Sequence, residues 1–271
     1  MDVTPAPVNG EISGNVLFYT KPEPLSRDLH GKLGVKGVEG PFAFASKAHA
    51  VPLTVGEFQL AAVTGPIIFV GDEKLPIAVM GLRADENIFL KPDGSFEAGI
   101  YVPAYIRRYP FVFANDDQNG QMVLCIDRAS SLIVEGGEAA FFDEKGEPTD
   151  YTKTCIEFCN NYEMERQRTA NFVQLLRALD LFEPKVANFQ GMNPDGTLSE
   201  PQKIADYFGV SEEKLGKLSP QQLVELRDNG ALPQIYAHLQ SLVGWDRLVA
   251  LAMAKDTLAQ AQAQSPSPAN A

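Results

Sequence analysis

Cysteine, histidine and tryptophan are scarce: 271 residues hold three, three and one of them. Cys125, Cys155 and Cys159 are odd in number, so a disulfide framework of the kind that staples small secreted domains is excluded. His30, His49 and His238 form no HxxxH or HxD pattern, and no CxxC occurs. Cys155 and Cys159 share a helical face but supply only two of the four ligands a structural zinc needs, so no metal is expected and both read as small apolar side chains. No run of four Lys or Arg appears, and the net charge is −12, which argues against nucleic acid as the main partner and fits an acidic, solubilising surface. No stretch approaches the ~18 consecutive apolar residues of a bilayer span, so membrane insertion is not expected. GxxxxGK[ST] and GxSxG are missing, and Gly31, Gly34 and Gly37, spaced by three, do not match GxGxxG. No cofactor is therefore expected. Met1-Asp2-Val3-Thr4-Pro5 lacks a basic region followed by an apolar one, so the expected location is cytoplasmic, with export to the cell surface without a signal peptide as the alternative.

What is present describes a globular chain. Hydrophobic residues make up 45% and charged residues 21%, which excludes general disorder. A chain of this mass buries roughly 73% of its extended surface. Pro and Gly crowd residues 1–45, which read as a flexible or loosely docked arm with a short strand around Val16–Tyr19. Residues 258–271 turn to Ala/Gln and then Ser-Pro-Ser-Pro, and read as a disordered tail.

The middle, 46–257, reads as a single α+β domain: an antiparallel strand-rich half, 46–147, packed against a helical half, 148–257. In the first half Thr54 and Glu57 have capping-box spacing. Ile67–Val70 and Ile77–Met80 flank a polar turn, Ile88–Leu90 runs into Lys91-Pro92-Asp93-Gly94, and Phe111–Phe113 with Met122–Ile126 flanks Asn119-Gly120. In the second half a helix follows Thr149/Asp150. Ser199 with Gln202 predicts another, stopped at Gly209, and Ser219-Pro220 with Gln222 predicts a third, ending near Gly230. The last, after Leu232, carries Ile235, Tyr236, Leu239, Leu242 and Val243 on one face.

Few residues suggest chemistry. His238 adjoins an apolar stripe and reads as a hydrogen-bonded structural residue. Glu163/Arg166 and Glu165/Arg168 stand at i,i+3 and can pair on a helix, either as a solvated surface or as a buried network. The most distinctive stretch is Gly99–Phe111, with Tyr101, Tyr105 and Tyr109, adjacent Arg107 and Arg108, and Pro103 and Pro110. The prolines limit it to a short helical turn between strands. Guanidinium forks match carboxylate or phosphate, and phenols offer flat faces with a hydroxyl. Arg107 and Arg108, with Tyr101, Tyr105 and Tyr109 and joined by Arg83, form a candidate clamp for an anionic small molecule or peptide. The alternative is a crossover whose tyrosines fill the core while an arginine ties down loop carbonyls.

At these residues the chain resembles the SapC family of bacterial proteins. Val51-Pro52-Leu53-Thr54, Pro66–Val70, Gly81-Leu82-Arg83 through Asn87-Ile88-Phe89, Tyr101–Phe111, Leu124–Asp127, Glu163–Thr169 and Ala231-Leu232 through Leu239 carry the likeness, which covers about 47–255. The resemblance implies a link to a bacterial surface layer and to neighbours of TonB-dependent receptors, and it brings no catalytic residues. The expectation is a soluble, non-catalytic binding or accessory protein of the envelope or of uptake. Two alternatives stay open: an enzyme acting on peptides or envelope glycans through carboxylates such as Glu86 or Asp127, and a surface-layer structural component. Self-association into a homo-oligomer is left open as well.

Overall fold

The computed structural model describes residues 17–116, 121–190 and 199–264. In chain order the elements are β1 (Pro22–Pro24), α1 (Arg27–His30), β2 (Leu33–Val35), β3 (Ala50–Pro52), α2 (Phe58–Ala61), β4 (Ile67–Val70), β5 (Leu75–Val79), α3 (Ala104–Arg107), β6 (Phe111–Asp116), β7 (Gln121–Asp127), β8 (Ile133–Glu135), β9 (Ala139–Ala140), α4 (Asp150–Ala178), β10 (Phe182–Phe189), β11 (Gln202–Val210), α5 (Glu212–Gly216), α6 (Pro220–Asp228), α7 (Ala231–Ser241) and α8 (Gly244–Gln264). The strands pair antiparallel and the long helices follow residue 149, so the class is α+β. The chain divides into two compact units.

The first unit comprises residues to Ala45, Pro92–Ser95 and Tyr105–Met164. It holds the sheets β1-β7-β6 and β8-β2-β9. Phe111 pairs with Ile126 and Phe113 with Leu124, so the period of two puts apolar side chains on one face. Phe111, Leu124 and Ile126 are buried there with Leu33, Ile133, Phe141 and Cys159. Each large side chain so buried contributes about 1.5–3 kcal/mol. The Asn119-Gly120 turn lies outside the described residues.

Residues 17–45, expected as a flexible or loosely docked arm, carry β1, α1 and β2, and residues 1–16 lie outside the described residues. Pairing holds these elements: β1 runs beside β7, from Pro22 opposite Asp127 to Pro24 opposite Cys125, and β2 pairs with β8 and β9. Of the expected strand Val16–Tyr19, Val16 lies outside the described residues and residues 17–18 form a turn ahead of β1. His30, 1% exposed, accepts from the Ser26 N–H at Nδ1 and donates from Nε2 to Glu23 (both 3.0 Å). Proline and glycine content marks irregular backbone, and irregular backbone docks when its polar groups find partners.

The second unit comprises Ser46–Lys91, Phe96–Ala104 and Glu165 onward, with sheet order β10-β11-β4-β5-β3. Phe69 of β4 meets Phe182 (4.9 Å) and Phe58 (6.3 Å), and Phe58 meets Phe172 of α4 at 5.8 Å, all edge-on. The helix expected from Ser199 and Gln202 is instead strand β11. Its registry with β10, Phe182 opposite Val210 through Ala187 opposite Ala205, and the contact of Phe208 with Phe69 outweigh a local capping cue. Gly209 is a strand residue and not a helix stop. A Cβ there would approach Lys185 to 2.8 Å and the Nε2 of His238 to 3.3 Å.

Other start signals hold. Ser219 and Gln222 exchange bonds across the α6 N-terminus with Pro220 at its first position, and Gly230 follows at φ 74°. In α7 the buried positions are Ala231, Ile235, Ala237, His238 and Ser241, whereas Tyr236 and, beyond the helix end, Val243 are exposed. The inward face is therefore rotated from the expected stripe, because His238 and Ser241 bind the sheet. The backbone of 258–264, placed in the expected tail, continues α8, as good helix-forming Ala and Gln permit, and 265–271 lie outside the described residues.

His238 is the peg between α7 and the sheet. Its Nε2 accepts the Val210 N–H (3.0 Å) and its Nδ1–H donates to the Ile67 carbonyl (2.9 Å), while Ser241 Oγ accepts the Ile67 N–H. Burial drops the imidazole to about 4, and the bond to Ile67 offsets this only in part. An unfolded histidine titrates near 6.5, so between pH 6.5 and 4 the unfolded chain takes up a proton that the native one refuses. Native stability from this residue is thus present above 6.5 and lost as pH falls toward 4, by about 3 kcal/mol in all. Urea unfolding at pH 7.5 and 4.5 should show that much less acid sensitivity in His238→Gln than in wild type. Parallel losses in the two proteins would refute the assignment.

Candidate functional site

The Gly99–Phe111 segment is placed by two buried carboxylates, one in each unit. In the second unit Glu57, 6% exposed, completes the Thr54 capping box: its Oε2 accepts from Thr54 N–H (2.9 Å) and Oγ1 (2.7 Å). Its Oε1 accepts from the Tyr101 hydroxyl (2.9 Å) and the Ala104 N–H (2.6 Å). The Tyr101 N–H donates to Thr64 Oγ1 at 3.0 Å. Tyr101 is thereby tied at backbone and side chain. Arg83, also in this unit, gives its fork to Asp256, with Nη1 2.9 Å from Oδ1 and Nη2 2.5 Å from Oδ2. The exposed Arg83–Asp256 pair holds the Asp256 carboxyl below its usual value and raises Arg83.

In the first unit the second carboxylate is Asp127, 1% exposed. It accepts from the N–H groups of Thr20 (3.2 Å), Lys21 (2.8 Å) and Ala129 (3.2 Å) and from the Tyr109 hydroxyl (3.0 Å). Burial pushes Tyr109 up to about 12. Its ring lies 4.1 Å from Phe44 and 5.3 Å from Tyr19.

Between these anchors lies the single turn α3, with Tyr105 and Ile106 buried and Arg107 exposed, as the prolines predict. Arg107 stands 5.2 Å over the Phe158 ring. Arg108 is enclosed more closely: its guanidinium carbon lies 4.3 Å from the Tyr105 ring, 4.5 Å from Tyr162 and 5.8 Å from Tyr19. Burial works against its charge, but Tyr19, Tyr162 and Tyr105 outweigh it and keep the group above its usual value. The Arg108 Nε is buried and meets no acceptor. Burial likewise raises Tyr105 and Tyr19, against the opposing effect of Arg108.

Of the six expected residues, Tyr105, Arg107, Arg108 and Tyr109 cluster in the first unit, while Arg83 and Tyr101 belong to the second. Tyr19 and Tyr162 were missing from the expected set. Tyr162 stands at i+3 from Cys159 and so was legible as inward-facing, but its cation was not; Tyr19 sits in the proline-rich start and carries no local signal. Glu165 and Arg168 do pair, at 3.3 Å, on a half-exposed surface.

Burial raises the Cys159 thiol to about 12 and Cys125 to about 11. Among the described residues no group of three His, Cys, Asp or Glu could hold a metal ion, and no helix is long and apolar enough to cross a membrane.

The fold and this cluster define an α+β chain with an arginine boxed by phenols. The family model of SapC matches residues 25–248, and the chain belongs to the SapC family. No curated protein and no solved structure matched.

Asp127 is a structural keystone by this geometry. Asp127→Ala strands three N–H groups and a phenol, which should cost about 3 kcal/mol or more in urea unfolding, whereas the fully exposed Asp150→Ala should shift stability by less than about 0.5 kcal/mol. Equal effects would remove the keystone role.

Proposed function

We propose that this SapC-family chain is a non-catalytic binding or accessory protein that engages an anionic group, the carboxylate or phosphate of a peptide or sugar acid, through Arg107 and Arg108. The observation that carries this reading is the buried Arg108 Nε without an acceptor, in a guanidinium kept charged among three phenol rings. Unpartnered buried donors are rare in native proteins and mark places where a ligand completes the set. Arg108 keeps part of its surface accessible, and Arg107 beside it is exposed. A planar fork flanked by rings favours a planar oxyanion over a spherical one.

A second line of support comes from the groups an enzyme would need. Asp127 has its oxygens occupied by four donors, Glu57 likewise, and His238 spends both ring nitrogens on backbone. General acid–base catalysis requires a group free to take a proton from a substrate. The link to the cell envelope, surface layer or TonB-dependent uptake rests on the family resemblance.

Calorimetry with galacturonate, inorganic phosphate and a short acidic peptide tests the proposal. At least one should bind wild type, and both Arg107→Ala and Arg108→Lys should weaken it by about tenfold, equivalent to ~1.4 kcal/mol. Circular dichroism confirms that each variant is folded. Unchanged affinity in both variants, or no binding to wild type by any probe at 10-millimolar order, overturns it.

A further inference from the structure

Residues 17–19 run past the rings around Arg108, and every group involved lies in the first unit. Tyr19 is one of the three rings on the guanidinium, 5.8 Å from its carbon. Beyond Tyr19 the backbone is fixed. Asp127 accepts the N–H groups of Thr20 (3.2 Å) and Lys21 (2.8 Å), and the Lys21 carbonyl accepts the Arg128 N–H (2.9 Å). Ahead of Tyr19 the hold is weaker. Leu17 is 39% exposed, and its carbonyl meets the Tyr105 hydroxyl at 3.4 Å, long for a bond between two oxygens.

Phe18, between the loose end and the fixed one, has φ 81°. That left-handed conformation is rare for a bulky side chain, because its Cβ crowds the carbonyl oxygen that follows. What offsets the cost is the Phe18 ring, which lies 5.1 Å from Phe44, 5.9 Å from Tyr105 and 6.4 Å from Tyr109. Backbone strain persists only where surrounding contacts over-determine it, and it gathers at ligand clamps and switch segments. Here the over-determining contacts come from one side chain, so the turn is latched by a ring and not by a ladder of backbone bonds.

We propose that Leu17–Tyr19 is a hinged strap: latched by Phe18 it lies against Arg108, and by turning about the Tyr19–Thr20 link it lifts the Tyr19 ring away and opens the guanidinium to an anion. This rests on the reading of Arg108 as an anion-binding cation. It also supplies what that reading requires, since Arg108 Nε is buried in the latched form and gains a partner only after something moves. Hinges are a few residues that absorb a change in φ and ψ beside a rigid anchor, and Asp127 is that anchor. Access to Arg108 is then limited by the fraction of molecules whose strap is open.

Phenylglyoxal, which modifies accessible guanidinium groups, reads the strap without any ligand. On the full chain, peptide mass spectrometry follows Arg108 with exposed Arg227 as the reference. In wild type Arg108 should react about tenfold more slowly than Arg227, or slower still. Phe18→Ala keeps the strained turn and removes its latch, so it should speed Arg108 about tenfold and leave Arg227 unchanged. Tyr19→Phe, which loses only the bond to the Phe111 carbonyl, should speed it about threefold. Alkylation of the buried Cys125 in the same samples reports unfolding; should Phe18→Ala expose that thiol, Tyr19→Phe decides alone. Wild-type rates at Arg108 in the folded variants, or an Arg108 as reactive as Arg227 in wild type, overturn the strap and leave Phe18 as a fixed plug. No anion enters this measurement, so failure of the strap and failure of the anion site, which calorimetry reads, are told apart.

Discussion

Buried carboxylates that accept from backbone N–H groups and phenols, and not from cations, hold the irregular parts of this chain in place. Taking a carboxylate out of water costs several kcal/mol, and the charge-assisted bonds that replace its hydration must all be made together. Asp127 draws Thr20 and Lys21 against the end of β7 and at the same time aims the Tyr109 hydroxyl. Glu57 does the equivalent for Thr54, Tyr101 and Ala104. Each gathers donors from segments distant in sequence, so the loops are as determined as the strands. Their oxygens are consumed in doing so, and the most buried acids of the fold are therefore its least available ones for chemistry.

The framework built this way leaves one cation in an unusual position. Arg108 stacks among Tyr105, Tyr162 and Tyr19, whose ring faces attract a guanidinium, while the Tyr19 hydroxyl donates to the Phe111 carbonyl at 2.5 Å. An ammonium would fit poorly, since it lacks the flat face that stacking uses. Burial raises Tyr19 and Tyr105, so both present hydroxyls and not phenolates near neutral pH. On the proposed reading this box grips an anion.

Much of this architecture was legible where the cue and the structure are both local. The Thr54/Glu57 and Ser219/Gln222 spacings name the donors and acceptors of their own helix starts, and the β4–β5 and β6–β7 hairpins follow from apolar runs flanking turns. Pairings decided at long range were not legible. Ser199 and Gln202 carry the same cue as Ser219 and Gln222, yet β11 forms because Phe208 meets Phe69 of β4 and the whole of β10 lies alongside. Asp127 looks like any acid after a strand, and Tyr19 like any residue in a proline-rich stretch. The role of each depends on partners about a hundred positions away. The candidate site was therefore half visible: Tyr105, Arg107, Arg108 and Tyr109 are contiguous, while the rings that complete it come from elsewhere in the chain.

The net charge of −12 sharpens what a site of this kind can do. Surface potentials act over a Debye length, about 8 Å at physiological salt, and an acidic chain repels an anion over that range. If the proposed anionic ligand binds here, long-range steering disfavours it, and recognition has to come from contact. Contact is where a partly buried guanidinium is strongest, because low local dielectric magnifies each charge-assisted bond while the rings fix the plane of approach. A solvated lysine on the same acidic surface would have its attraction screened and its geometry undefined. On the proposed reading, the combination of repulsive field and recessed arginine favours ligands that present a flat oxyanion together with enough neutral surface to lie against phenol, over small, strongly hydrated ions.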